Sequence, residues 1–218
     1  VPPIGDSIPR PTVRRLSLYL REAESMLQAG QRTVSSSDFS LSLPVTDAQV
    51  RRDLGHLGQR GRSGVGYRLT PLIERLRRAL AVDRSRNVAI IGAGNLGFAL
   101  ADYPGFRQEG FRIVALFDSL HAKVGRQSRS GVRIHDIRQL KRVTRREGIT
   151  IAVIAVPAAA AQMVANTVVQ AGIKALLNFS PGALRVPPDV KLKSVDLTVS
   201  LESLSFYLAR NDAGRTST

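Results

Sequence analysis

Gly92-Ala93-Gly94-Asn95-Leu96-Gly97 reads G-x-G-x-x-G. Glycines at that spacing let a chain turn tightly, bring backbone N–H groups against a pyrophosphate, and seat the following helix on the preceding strand. The pattern alone is weak, but its surroundings strengthen it. Asn87-Val88-Ala89-Ile90-Ile91 before it is an apolar run suited to a buried strand, and a helical stretch follows. A second apolar run, Arg112 to Phe117, ends in Asp118, 21 residues beyond Gly97. A carboxylate at that distance accepts hydrogen bonds from an adenosine ribose and repels a 2′-phosphate, which favours NAD(H) over NADP(H). The competing reading is a structural glycine-rich turn with no ligand.

A different chemistry is written between residues 35 and 67. Ser36 is expected to cap a short helix with Phe39 and Leu43 inward, stopped by Pro44. Thr46-Asp47-Ala48-Gln49 has the form of a capping box and opens another helix, with Val50, Leu54 and Leu57 on its buried stripe. Off that stripe stand Gln49, Arg51, Arg52 and His56. Arg and Gln are the side chains that pair bidentately with guanine and adenine edges in a major groove. Two short helices joined by a tight turn read as a helix-turn-helix. Gly58, Gly61, Gly64 and Gly66, interleaved with Arg60 and Arg62, read as a hairpin wing. The candidate DNA-binding residues are Ser35, Gln49, Arg51, Arg52, Arg60 and Arg62. The plainer alternative is a small helical domain with a solvated basic face, Arg51 being paired with a nearby acid.

Both motifs need elements to hold them. A first helix is expected from Pro11 or Thr12 to Gly30, with Val13, Leu16, Leu20, Ala23 and Leu27 inward. A fourth is expected after the wing, capped by Thr70 with Pro71 at its first position and Leu72, Leu76 and Leu80 inward. From Asn87 onward, apolar runs alternate with helical stretches. Strands are predicted at 132–135, 149–156 and 175–179, and helices near 136–147 and 158–171. That alternation is the mark of a parallel βαβ sheet. A last strand at 195–197 and a final helix carrying Leu201, Leu204, Phe206 and Leu208 complete the chain. The fold class is therefore α/β: a winged helix-turn-helix over 1–85, a Rossmann-type domain over 86–199, and a C-terminal helix and tail over 200–218. Residues 1–10 and 211–218 are expected to fray.

The composition narrows the partners. Among 218 residues, 32 Lys and Arg face 17 Asp and Glu, a formal net charge of +15. The excess is shared, with 14 basic against 8 acidic residues up to residue 85 and 18 against 9 beyond it. Such a balance favours polyanions. No cysteine is present, which excludes a disulfide scaffold and a cysteine nucleophile. Three histidines, at 56, 121 and 135, argue against a His-rich metal site, and no metal is expected. The longest apolar stretches, such as 149–161, fall short of a membrane span, and the first residues carry no signal pattern. The expectation is a cytoplasmic protein with no membrane partner. The run Arg138, Lys141, Arg142, Arg145, Arg146 stays open between flanking DNA and a solvated helix face.

Many short stretches, in one order, resemble the Rex family of redox-sensing transcriptional repressors. They are Val50-Arg51-Arg52-Asp53-Leu54, Gly64-Val65-Gly66-Tyr67, Gly92 to Gly97, Asp102-Tyr103-Pro104-Gly105-Phe106 and Lys123-Val124-Gly125-Arg126. Further on come Asn178-Phe179-Ser180-Pro181, Val195-Asp196-Leu197 and Leu204-Ser205-Phe206. The resemblance runs from about Ile8 to Leu208. It implies a homodimer that binds inverted-repeat operator DNA and is released by NADH, with NAD⁺ competing for the same site. It also implies a C-terminal helix exchanged between subunits, bringing Phe206 towards the partner's nicotinamide pocket. Arg15, Tyr103 and Asp196 match positions that exchange polar contacts as such a dimer rotates. The candidate nucleotide-binding residues are then Gly92, Ala93, Gly94, Asn95, Leu96, Gly97, Asp118, Val156, Pro157, Asn178, Phe179 and Phe206. The wing departs from the family pattern: His56, Leu57 and Arg60 stand where aromatics are usual, and Arg62-Ser63 replaces a Thr-Arg pair.

Two other readings are open. One is a small NAD-dependent oxidoreductase. About 130 residues after Arg86 hold one nucleotide-binding unit with no substrate domain, and no acid or base stands out, so no catalytic residue is assigned. The other is a DNA-binding protein that no longer responds to nucleotide, against which Gly92, Gly94, Gly97 and Asp118 all stand.

Overall fold

The computed structural model describes residues 8–215, which divide into two compact units at residues 85 and 86. The N-terminal unit contains α1 (Arg10–Gln28), β1 (Thr33–Val34), α2 (Ser36–Ser42), α3 (Asp47–Gly55), β2 (Tyr67–Arg68) and α4 (Leu69–Ala79). Its core is one cluster: Leu16, Tyr19, Leu20 and Ala23 of α1, Phe39 of α2, Val50 and Leu54 of α3, and Leu69, Leu72, Ile73 and Leu76 of α4. The inward stripe of α1 includes Thr12 and Tyr19, which the apolar pattern does not mark, whereas Val13, expected inward, lies at the stripe's edge and is 43% exposed. Tyr19 stacks obliquely on Phe39, with ring centroids 5.3 Å apart.

Three helix starts differ from their predicted form. The cap of α2 is Ser35, not Ser36. Its Oγ accepts from the Asp38 N–H at 3.1 Å, and the Asp38 carboxylate accepts from the Ser35 N–H at 2.7 Å, which completes a capping box. Thr46 does cap α3, accepting from the Gln49 N–H at 3.2 Å, but the reciprocal half of the box is not made because the Gln49 amide is bonded elsewhere. Helix α4 begins at Leu69, one residue before the expected cap. The Leu69 N–H donates to the Arg32 carbonyl at 3.0 Å and its side chain is buried. Pro71 then falls at the third helical position, which still needs no intrahelical donor.

The wing is minimal. Arg62 and Gly66 exchange backbone bonds of 2.9 and 2.8 Å across a tight turn, and β2 continues from it. Strand β1, unmarked in the sequence, pairs antiparallel with β2, Val34 opposite Tyr67. Gly66 has φ +79°, and a Cβ there would overlap the Val34 carbonyl oxygen, so the turn requires glycine.

The C-terminal unit contains β3 (Arg86–Ile91), α5 (Asn95–Ala101), α6 (Pro104–Gln108), β4 (Phe111–Asp118), β5 (Ile134–Asp136) and a 3₁₀ turn (Ile137–Gln139). After these come α7 (Leu140–Glu147), β6 (Ile149–Ile154), α8 (Ala158–Gln170), β7 (Ala175–Asn178), β8 (Lys191–Ser194) and α9 (Leu197–Arg215). Six parallel strands lie in the order β5-β4-β3-β6-β7-β8. In chain order this is third-second-first-fourth-fifth-sixth, the Rossmann arrangement, with its crevice beyond the ends of the paired strands β3 and β6, where the strand order reverses. The inner strands β3, β4, β6 and β7 are largely apolar on both faces because both are covered, whereas the edge strand β8 is mostly exposed. Ala89, Ile91, Ala115, Phe117, Ala152 and Ile154 join α7 and α8 in one cluster, while Val88, Ile90, Leu116 and Val153 face the α5 side in another.

The last strand was expected at 195–197 but spans Lys191–Ser194; the Val195 N–H makes its last rung, to the Asn178 carbonyl at 2.8 Å, and Asp196 already caps the helix that follows. The final helix starts at Leu197, three residues before the expected boundary at 200, and stays helical to Arg215 through part of the stretch expected to fray. Likewise α1 begins at Arg10, inside the expected frayed start. The rest of those two stretches, residues 1–7 and 216–218, lies outside the described residues. Among the described residues, no helix is long and apolar enough to cross a membrane.

Candidate functional site

The ends of four strands meet at the crevice. Beyond β3 the Gly92 N–H donates to the Phe117 carbonyl of β4 at 2.8 Å. Beyond β6 the Ala155 N–H donates to Ile91 at 2.8 Å, and beyond β7 the Phe179 N–H donates to Ile154 at 2.9 Å. The three glycines each answer a different constraint. Gly92 has φ +107°, and a Cβ on it would overlap the Ala155 carbonyl oxygen. A Cβ on Gly97 would overlap the Gly92 carbonyl oxygen, so this position sets the approach of α5 to β3. A Cβ on Gly94 would meet nothing within 4 Å. Gly94 is thus the one of the three that packing does not require, and it leaves bare backbone at the start of α5, where a pyrophosphate would sit. Ala93 is buried, and Asn95 and Leu96 are exposed beside it.

Asp118 closes this loop from the end of β4. Its carboxylate accepts from the Ala93 N–H at 3.0 Å, the Leu120 N–H at 2.9 Å and the Lys123 ammonium at 3.1 Å. Burial pushes its pKa up, but the Leu120 N–H, Lys123 and the Ala93 N–H outweigh that and hold it below the ordinary carboxylate value. Lys123 belongs to this site although the sequence reading left it out. Its place in the Lys123-Val124-Gly125-Arg126 stretch, five residues past the acid, was the available signal. Val156 is half-buried and Pro157 exposed at the start of α8, and the Ser180 hydroxyl donates to the Val156 carbonyl at 2.6 Å. Asn178 is fully buried. Its amide donates to the Ser180 carbonyl at 3.0 Å and accepts from the Ser180 N–H at 2.9 Å, so it shapes the loop carrying Phe179 rather than facing the crevice itself. Phe179 packs against the α5-side cluster.

Helix α3 is held by a second carboxylate, Asp53, only 1% exposed. It accepts from Arg15 Nε at 2.6 Å and Nη2 at 2.9 Å, from the Tyr19 hydroxyl at 2.9 Å, from the Thr12 hydroxyl at 3.2 Å and from the Gln49 amide at 3.0 Å. Burial again opposes ionisation, and Arg15, Tyr19 and Gln49 prevail, so its pKa lies below the ordinary value. Tyr19 is pushed up, first by burial and then by the adjacent carboxylate. Two candidates from the sequence therefore meet at a residue it did not single out: Arg15 of the suggested switch and Gln49 of the suggested base readers. Asp53 is three residues after Val50, on the buried face of α3, and an acid there demands partners.

The other candidate base readers are exposed. Arg51 donates to the Ser36 hydroxyl at 2.8 Å and lies 3.8 Å from Asp47. Arg52 projects from α3, while Arg60 and Arg62 stand on the wing. Tyr103 is exposed, edge-to-face with Phe106 at 5.2 Å. Asp196 caps α9, accepting from the Thr198 and Val199 N–H groups at 2.9 and 3.4 Å. On α9 Phe206 is exposed with its ring against Tyr207, 5.8 Å between centroids.

Comparison with known proteins decides the family. The redox-sensing transcriptional repressor Rex of Carboxydothermus hydrogenoformans is 44% identical over 207 residues, covering 95% of this chain and 99% of the relative. That of Syntrophomonas wolfei is 45% identical over 205 residues, 94% and 97%. This chain belongs to the Rex family. Family models described as "Putative DNA-binding protein N-terminus" and "CoA binding domain" match residues 7–55 and 83–182. Among solved structures, RSP, a Rex-family repressor, superposes with a TM-score of 0.86 at 35% identity, covering 96% of this chain and 97% of that one. RSP in complex with β-NAD⁺ and operator DNA gives 0.88 at 35% identity, 96% of each chain. Rex proteins are transcriptional repressors, which sets aside the oxidoreductase reading.

Proposed function

We propose that this Rex-family chain represses transcription by binding an inverted-repeat operator as a homodimer, and that it leaves the operator when its crevice takes NADH. The carrying observation is the pairing, in one chain, of a winged helix presenting Arg51, Arg52, Arg60 and Arg62 with a Rossmann crevice whose glycine loop is tied to Asp118. RSP was captured with β-NAD⁺ and operator DNA and, separately, with β-NADH, which supports the same two ligands here. The reading makes it a cytoplasmic regulator.

Gly92 to Gly97 and the start of α5 would hold the pyrophosphate, and Asp118 the adenosine ribose. Val156, Pro157, Asn178 and Phe179 would shape the nicotinamide end. The nucleotide supplies a ring that is neutral when reduced and positively charged when oxidised. An apolar lining that includes Phe206 of the partner subunit would desolvate the neutral ring at lower cost. Support for a second copy comes from α9, where Leu197, Leu201, Leu204 and Leu208 recur on one face and are all more than half exposed. An apolar seam of that size in water calls for a protein partner. Arg15, Tyr103 and Asp196 are then the candidates for contacts that change between the two states of the dimer.

A mobility-shift assay with an inverted-repeat duplex tests this. Binding is expected to fall steeply with salt and to be lost on adding NADH, with NAD⁺ far less effective. Arg52→Ala is expected to cost about 1–3 kcal/mol of operator affinity. Operator binding indifferent to NADH would overturn the reading.

A further inference from the structure

Arg138, Lys141, Arg142, Arg145 and Arg146 recur at steps of three and four residues on the 3₁₀ turn and α7, so they share one helix face, while Leu140, Val143 and Thr144 are buried on the other. The five side chains line one open, shallow patch of surface. Asp136 pairs with Arg138 and Glu147 with Arg146, but among the described residues no acid lies within 4.0 Å of Lys141, Arg142 or Arg145. Helix stability does not account for this crowding. Like charges three and four residues apart repel, and although the helix dipole favours Arg145 and Arg146 in the last turn, it disfavours Lys141 and Arg142 in the first.

We propose that this face is a second ligand site, one that takes a compact oligophosphate and shares no lining residue with the nucleotide crevice. Four of the five cations are Arg, whose planar fork matches phosphate oxygens two at a time. They are spread over about 12 Å of helix, eight residues at ~1.5 Å each, so a single phosphate would leave most of them unmatched. All five cations stand within that span on one continuous turn and helix, which matches a short chain of linked phosphates. His135, half-buried against Phe117 with 5.6 Å between rings, senses the same field. Its pKa is held below the ordinary imidazole value first by burial, then by Arg146, Arg133 and Arg142, with Glu147 pulling the other way. An oligophosphate seated here would relieve those cations and raise it.

The test uses the full chain and inorganic tripolyphosphate at fixed ionic strength. Calorimetry measures binding, and proton NMR follows His135, one of three histidines. Lys141→Gln/Arg145→Gln is compared with Lys191→Gln/Lys193→Gln, an equal loss of charge on exposed positions of β8. The first pair is expected to weaken binding by about tenfold or more, the scale of two lost charge-assisted contacts, and the second by less than about twofold. Tripolyphosphate is expected to raise the His135 pKa in the unmutated chain and not in the first variant. Equal weakening by both pairs, or a His135 that does not move, overturns the proposal. So does a first variant that loses affinity for duplex DNA but not for tripolyphosphate, which would make the face a DNA contact. Thermal midpoints near that of the unmutated chain confirm that both variants fold.

Discussion

Asp53 and Asp118 sit in different units, yet each is a carboxylate that burial would neutralise and hydrogen bonds keep charged. Around Asp53 the donors are side chains from α1 and α3: Arg15, Tyr19, Thr12 and Gln49. Around Asp118 two of the three donors are backbone N–H groups of loops, and the third is the partly exposed Lys123. The first set locks two helices together around an acid that is itself buried. The second organises a loop at the open end of a sheet. The same local chemistry thus fixes α3 in one place and ties down the glycine loop in the other. What separates them is whether the donors come from packed elements or from strand ends.

The sharpest separation is expected from removing each acid. Asp53→Ala leaves the half-buried Arg15 with only the Thr12 hydroxyl as acceptor, and loss of one partner of a buried pair costs about 3–5 kcal/mol, towards the low end here because Arg15 is a quarter exposed. Urea unfolding should show that loss in the N-terminal unit. Asp118→Ala should leave stability within about 1 kcal/mol and instead erode nucleotide choice. Calorimetry should find the preference for NADH over NADPH reduced by about tenfold, the equivalent of ~1.4 kcal/mol. Equal affinities for the two nucleotides in the unmutated chain would remove Asp118 from the ribose site.

The pH dependence carries the comparison further. Because the folded pKa of Asp53 is depressed, its stabilisation is fully present above the ordinary carboxylate value of ~3.9 and is lost as pH falls from there through the lower folded value. Unfolding free energies measured at pH 7, 5 and 3 should therefore fall below about pH 4. Asp53→Asn, less stable throughout, should show a shallower fall.

A smaller effect tests whether Asp196 works by geometry or by charge. As the cap of α9 it is worth about 1 kcal/mol to that helix, and Asp196→Ser keeps a capping oxygen. If Asp196 also meets a cation in the dimer, Ser and Ala should blunt the NADH response of operator binding alike, although only Ala loses the cap. A Ser variant with an unchanged response would leave capping as its role.

The sequence by itself determined the fold class and the phosphate loop. Apolar runs alternating with helical stretches and the G-x-G-x-x-G spacing are local signals, each set by the geometry of one strand, helix or turn. The helix-turn-helix was legible for the same reason, through the stripe Val50, Leu54, Leu57 and the cap at Thr46. What pairs with what was decided by tertiary structure. That Arg15 would reach Asp53 across 38 residues and that two residues after α1 would form a strand against the wing are long-range outcomes, and even the short-range choices, Gln49 turning from its capping box to Asp53 and Lys123 joining Asp118, were settled only by the packed surroundings of each acid. A side chain's partner depends on which elements the core brings together. Spacing along the chain encodes which face a residue occupies, not what lies opposite it.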